Sequence, residues 1–315
     1  MGTSLRIAVQ APSRSEGIEA IEHAFRVVRG LDDLLSTWKD DSEIAKLNHA
    51  APGQPVPLTR TLFAILQDAA RWSRLTLGAF DPAIGSLIDA WDLRGPGRIP
   101  DRASLARARA AQGLRRFVFA DGVRTGARTS SAAWLDTGGF GKGVALREAR
   151  RALVQRGVTA ASLNFGGQVV VVGRGPSSGE WIVPVAHPNE RAKPAAWLRF
   201  HDRSASTSSQ SERFITVNGR HFGHILDPRT GQPVPPWGSV TVLAEDPGVA
   251  DMVSTALLVL GPDAGLRWAR DRQDMAVLFL FERDGKLEQR GNAALEQFLV
   301  TDSILSARRV SARGI

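Results

Sequence analysis

The sequence predicts an α+β fold built as two interlocked lobes, and three observations carry that prediction. Helix-period and strand-period segments are both frequent, yet they do not follow the regular βαβ alternation of a doubly wound sheet. Most of the strand patterns come after Gly157, behind a glycine-rich junction. No linker-like stretch divides the 315 residues, and a chain of that length buries roughly three-quarters of its unfolded surface in a core of its own. Residues 1–315 therefore read as a single domain, ending in a basic tail over about 300–315 that carries Arg308, Arg309 and Arg313.

Leu5 to Gln10 reads as the first strand. Ser15 to Leu35 follows with Ile18, Ile21, Phe25, Val28, Leu31 and Leu35 at near-helical spacing, and Thr59 to Leu75 repeats the pattern with Leu62, Ile65, Leu66, Ala69 and Trp72. A third helix, Asp101 to Gly113, is arginine-rich and capped by Asp101 after Pro100. Val144 to Arg156 forms a fourth, ended by Gly157. A strand pair, Ala160 to Asn164 and Gln168 to Gly173, is broken by Gly166 and Gly167. Further strands are expected at Trp181 to Ala186, Trp197 to Phe200, Phe214 to Val217, Ser239 to Ala244 and Ala276 to Phe281, with Asn218-Gly219 as a hairpin turn. Helices recur at Val249 to Leu260 and Asp263 to Asp271. No stretch reaches the roughly 18 consecutive apolar residues of a membrane span.

Composition removes several chemistries. The chain has no cysteine, hence no disulfide, thiolate metal site or cysteine nucleophile, and no tyrosine, hence no phenol mechanism. Net charge is +8, but only five of the 40 basic residues are lysine, and the arginines are scattered among acids such as Asp101, Glu148, Glu212 and Asp271. That pattern describes a solvated basic surface, and no nucleic-acid partner is expected. Met1 is followed by polar residues rather than an apolar run, so no signal peptide is expected.

Three constellations can carry chemistry. Asp136-Thr-Gly-Gly-Phe-Gly-Lys142-Gly143 leads into a helix, where backbone N–H groups, the helix N-terminus and Lys142 suit an anion. A plain glycine-rich turn has the same composition. Asp251, Ser254 and Thr255 share one helix face and offer a carboxylate and two hydroxyls to a hard cation such as Mg²⁺; Asp251 is equally a candidate cap. His221-Phe-Gly-His224-Ile-Leu-Asp227-Pro-Arg229-Thr-Gly231 supplies a candidate general base in His224 and a phosphate clamp in Arg229, or else a β-turn braced by Asp227. Trp38, in a polar loop beside Thr37 and Lys39, offers a platform for a flat ring.

In this order the segments resemble the ApbE family of FAD:protein FMN transferases. The resemblance covers about residues 1 to 262 and rests on Met1-Gly-Thr3, Ser36-Thr-Trp38 with Asp41-Ser-Glu43 and Leu47-Asn48, Phe80-Asp81-Pro82, Leu135 to Gly143, Asn164-Phe-Gly-Gly167, His224 to Gly231 and Ala250 to Ala256. It implies an FAD and Mg²⁺ site between the lobes. FMN passes from FAD, the substrate, to a Thr or Ser hydroxyl of an acceptor flavoprotein, such as the FMN-binding subunit of a redox complex, and AMP leaves. Gly139 (through its carbonyl), Asp251, Ser254 and Thr255 match metal positions. Met1, Trp38, Ala79, Phe80, Asp81, Asp136, Lys142 and Ile225 match FAD contacts, and Asn164, Gly166 and Gly167 match the glycine-rich strand turn. FAD hydrolysis to FMN and AMP, or FAD binding alone, is the alternative on the same scaffold.

Two departures bear on it. Ser208-Ser-Gln-Ser211 stands where the family often has Ser-Gly-Asp-Tyr, and Gln168 where an acid commonly follows Gly-Gly. The family is typically periplasmic and anchored at the inner membrane, whereas this sequence as it stands, with no signal peptide or lipid-bearing cysteine, reads as cytoplasmic.

Overall fold

A computed structural model of the chain describes residues 2–175, 179–210 and 213–300. Met1, Ser211, Glu212 and the basic tail from residue 301 onward, all of which carried expectations above, lie outside the described residues.

In chain order the elements are β1 (Leu5–Gln10), α1 (Arg14–Leu35), α2 (Glu43–His49), β2 (Val56–Pro57), α3 (Arg60–Leu75), α4 (Gly85–Trp91), α5 (Arg102–Ala111), β3 (Phe117–Ala120) and β4 (Thr125–Arg128). The second half continues with α6 (Gly141–Gln155), β5 (Ala160–Phe165), β6 (Gln168–Val172), β7 (Trp181–Ala186), β8 (Pro194–Phe200), β9 (Ser204–Ser209), β10 (Phe214–Val217), β11 (Arg220–Gly223), β12 (Gly238–Ala244), α7 (Pro247–Ala269), β13 (Met275–Arg283) and β14 (Lys286–Gly291).

Seven strands form one sheet in the order β1-β5-β6-β9-β12-β13-β14, and every pairing in it is antiparallel. This is an α+β architecture, as the sequence predicts. Alternation along each strand sends side chains to two cores. Val170, Val172, Val240 and Val242 face α1, α6 and α7, together with Leu146, Val253 and Leu257. Val171, Leu243, Leu278 and Leu280 face the β7–β8 hairpin, against Leu198 and Phe200. A smaller cluster of Leu87, Trp91, Ala108 and Leu226 joins α4 and α5 to the loop after β11.

Two differences from the sequence reading have physical causes. Helix α6 begins at Gly141 rather than Val144, so Lys142 and Gly143 form its first turn instead of a preceding loop. Helix α7 begins at Pro247, capped by Asp246, whose side chain accepts from the Gly248 and Val249 N–H groups. Asp251 therefore lies a turn inside the helix, and its alternative reading as a cap is removed. The two helices expected over 249–271 are both present within α7: Gly261, with φ of 75° and ψ of 173°, leaves the helical region and separates them ahead of Pro262. By length and composition α7 is apolar enough to cross a membrane, with a mean hydropathy of 1.3. Here it is the core helix packed on β9, β12 and α6. The short elements α2, α4, β3, β4 and β14 carry too little periodicity to be read from sequence, and tertiary pairing supplies them.

Candidate active site

Helices α6 and α7 meet through glycine. A Cβ on Gly143 would lie 2.3 Å from the Pro247 carbonyl oxygen and 2.7 Å from the Asp251 Cβ. This close approach lets the Gly143 N–H donate to Asp251 Oδ2 at 2.9 Å. The other carboxylate oxygen lies 3.7 Å from Lys142 Nζ and accepts from Ser206 Oγ at 3.4 Å. One turn on, Thr255 Oγ1 lies 3.5 Å from the Gly139 carbonyl oxygen. Gly139, Lys142, Asp251 and Thr255, read from separate segments, thus converge at the head of α6. Ser254 lies a step behind them: its hydroxyl is fully buried and bonds to Ser208 at 2.9 Å and Ser206 at 3.2 Å.

A second group sits at the other end of the same loop. Asp136 accepts from the Gly138 N–H at 2.8 Å and from Arg94 Nη2 at 3.0 Å. Arg94 also donates to the Thr37 carbonyl and hydroxyl. Its guanidinium carbon lies 4.5 Å from the centroid of Trp38 and 4.4 Å from that of Trp134. Trp38 is 73% exposed, the condition a stacking platform needs.

The third group hangs from β9. The side chain of Gln210 accepts from the Ile225 N–H and donates to the Ile225 and Val234 carbonyls at 2.7 and 2.9 Å. It thereby ties the segment carrying His224 and Ile225 to the strand that carries Ser206 and Ser208. His224 Nδ1 lies 3.0 Å from the Arg213 carbonyl oxygen, and a carbonyl only accepts. The neutral ring is therefore the Nδ1–H tautomer, with its lone pair on Nε2. Arg229, expected to clamp a phosphate, is instead engaged in a bidentate pair with Asp227 at 2.9 Å on both arms, which raises its pKa further. Asp227 also accepts from the Arg229 N–H, so the bracing of a β-turn is what the structure shows at this position.

The remaining expectations fall on scaffolding positions. Phe80 is buried in an edge-to-face contact with Phe140, and Ala79 is buried beside it. Asp81 accepts from the Ala83 and Leu114 N–H groups, and burial pushes its carboxyl above the ordinary range. Asn164 accepts from the Gly167 N–H at the β5–β6 turn, where Gly166 and Gly167 both have positive φ and Thr3 packs against Gly166. Gln168 is buried and bonds Ser204 and the Pro247 carbonyl, bracing the start of α7.

The ApbE family profile matches residues 1–279, most of the chain. This chain belongs to the ApbE family. Among its relatives are two proteins of Klebsiella pneumoniae named FAD:protein FMN transferase. One is 32% identical over 81% of this chain and 80% of its own length; the other is 29% identical over 91% and 83%. The ApbE protein of Thermotoga maritima superposes with a TM-score of 0.86 at 26% identity, covering 95% of this chain and 97% of that one. The flavin transferase ApbE of Vibrio cholerae superposes at 0.83 with 24% identity, covering 95% and 96%, and shares the fold.

The candidate site contains residues that the sequence does not single out for it. Arg94 lies in a turn with no motif around it. Ser206 belongs to β9, where Ser204, Ser206 and Ser208 recur at a period of two, and that alternation of small hydroxyls is the sequence signal that could have found it. Gln210, just past the strand, enters the sequence reading only as a departure from the family pattern, without its bracing role. The donor set near Asp251 fits a hard divalent cation: one carboxylate, a hydroxyl and a carbonyl, all oxygen. Among the described residues no group of three or more His, Cys, Asp or Glu gathers to hold a metal. A cation held there would need its remaining oxygens from a bound ligand, as Mg²⁺ does with phosphates.

Proposed function

We infer that the chain transfers FMN from FAD to a Thr or Ser hydroxyl of an acceptor protein, with AMP as the leaving group and Mg²⁺ as the cofactor. The observation that carries this reading is the convergence of Lys142, Asp251, Thr255 and the Gly139 carbonyl at the N-terminus of α6. A pyrophosphate needs concentrated positive charge, and this place offers an ammonium group, helix N–H groups and oxygen ligands for a cation. Gly139, Asp251 and Thr255 would hold the Mg²⁺, which neutralises charge developing on the phosphates. Ser254, also on α7, supports them through its bonds to Ser206 and Ser208 of β9. Trp38 offers its exposed face to the flavin ring.

The reaction breaks the bond from the FMN-side phosphorus to the bridging oxygen and forms one to the acceptor hydroxyl oxygen. The hydroxyl proton passes to His224 Nε2, the lone pair left by the Nδ1–H bond to Arg213. Lys142 stands by the departing AMP oxygen. With water in place of the acceptor, the same arrangement would hydrolyse FAD.

Intact mass spectrometry of a Thr-containing FMN-carrier domain, incubated with the protein, FAD and Mg²⁺, tests this reading. A gain of one FMN that EDTA suppresses is expected. Asp251→Ala loses the metal-dependent gain, and His224→Ala loses transfer while retaining FAD. Free FMN and AMP beside an unmodified carrier would instead establish the hydrolase.

A further inference from the structure

We propose that Arg94 is a positioning residue that orients Trp38 for the flavin ring and sets the spacing between the ring and the pyrophosphate. The inference rests on the reading above in which Trp38 receives the flavin. Contacts with four residues carry it. The guanidinium lies over Trp38 and over Trp134 at 4.5 and 4.4 Å, donates twice to Thr37, and pairs with Asp136 at 3.0 Å. Trp134 is itself anchored, donating from its indole N–H to Asp89 at 2.8 Å.

Arg94 therefore joins three separate stretches of chain: the loop after α1 that carries Thr37 and Trp38, the turn after α4, and the strand-like run from Trp134 to Asp136 that leads into α6. An exposed indole on a loop would otherwise sample several rotamers, and ordering it on binding has an entropic cost. A planar guanidinium against the ring removes that freedom beforehand, at a modest attraction per contact. Because the same guanidinium holds Asp136, six residues before Lys142, the platform and the anion-binding turn are fixed relative to each other. One face of Trp38 is taken by Arg94. With 73% of the residue exposed, the opposite face is the one presented to the flavin.

The test compares FAD with ADP, which lacks the isoalloxazine ring. Affinities are measured by calorimetry with Mg²⁺ for the wild type, Arg94→Gln, Arg94→Lys and Trp38→Ala, alongside the visible circular dichroism of bound flavin. Arg94→Gln is expected to weaken FAD by about tenfold, alter the flavin dichroism, and leave ADP within about twofold. Arg94→Lys, which keeps the charge but not the planar fork, falls between. Equal losses for FAD and ADP would show a scaffold role and overturn the proposal, as would unchanged FAD affinity in Arg94→Gln. If Trp38→Ala binds FAD as the wild type does, the ring does not use this platform, and the reading beneath the proposal fails with it.

Discussion

Asp81 shows how a residue can match a motif and act as scaffold. Its two carboxylate oxygens are taken by the Ala83 and Leu114 N–H groups, yet burial lifts its pKa above the ordinary range, with those bonds and Arg115 acting in the opposite direction. A carboxyl raised on folding stabilises the native state in its neutral form. That contribution is complete below the unfolded value and is lost as pH rises through the folded one. The stability difference between wild type and Asp81→Asn should therefore shift in the variant's favour as pH is raised from about 4 to 7, read from urea midpoints at each pH. A difference that moves the other way would place the carboxylate in a charge-stabilised site. Arg229 and Gln210 teach a related point. Arg229 is engaged by Asp227, and Gln210 uses both ends of its amide on backbone, a role that an ionised Asp, with no donor, could not reproduce.

At the scale of the element, the crossing of α6 and α7 builds the site. The Gly143 N–H reaches Asp251 only because no side chain separates the helices. Gly143→Ala should cost about 1–3 kcal/mol in denaturant unfolding and depress FMN transfer by more than the lost folded fraction, since Asp251 moves with α7. Gly141→Ala is the control: its Cβ would meet nothing nearer than Thr137 at 3.7 Å, and it should retain both stability and transfer. Equal behaviour of the two variants would show that the helix contact is not what positions Asp251. Strand β9 completes the construction, because its alternation places Ser204, Ser206 and Ser208, all buried, under the polar side of an otherwise apolar α7.

At the scale of the whole molecule, arginines tie distant segments together through ion pairs with acids. Arg147 pairs with Asp68, Glu148 and Asp246, Arg290 with Asp263 and Glu288, and Arg94 with Asp136. The sequence scatters its arginines among acids such as Asp101, Glu148, Glu212 and Asp271, so binding to duplex DNA at about 150 mM salt should be undetectable by anisotropy. Retained binding with a steep salt slope would assign the surface a nucleic-acid role. Within the molecule the same charges hold segments together: Arg147 links α3, α6 and the cap of α7 through its acidic partners.

The sequence by itself determined the α+β class, the long helices and most strands, because those depend on local hydrophobic period and on caps such as Asp101. It also determined the order of the glycine, His224 and Asp251 segments, from which the family resemblance follows, because chemistry-bearing residues at fixed local spacing are readable without contacts. Only the tertiary structure decided which of those residues work together. Lys142, Gly143 and Asp251 are joined across 108 residues by one hydrogen bond and a close helix crossing, Arg94 finds Asp136 and two tryptophans from a turn with no motif, and Arg229 is engaged by Asp227. Side-chain partnership is set by packing between elements distant in the chain, and that geometry leaves no period in the sequence.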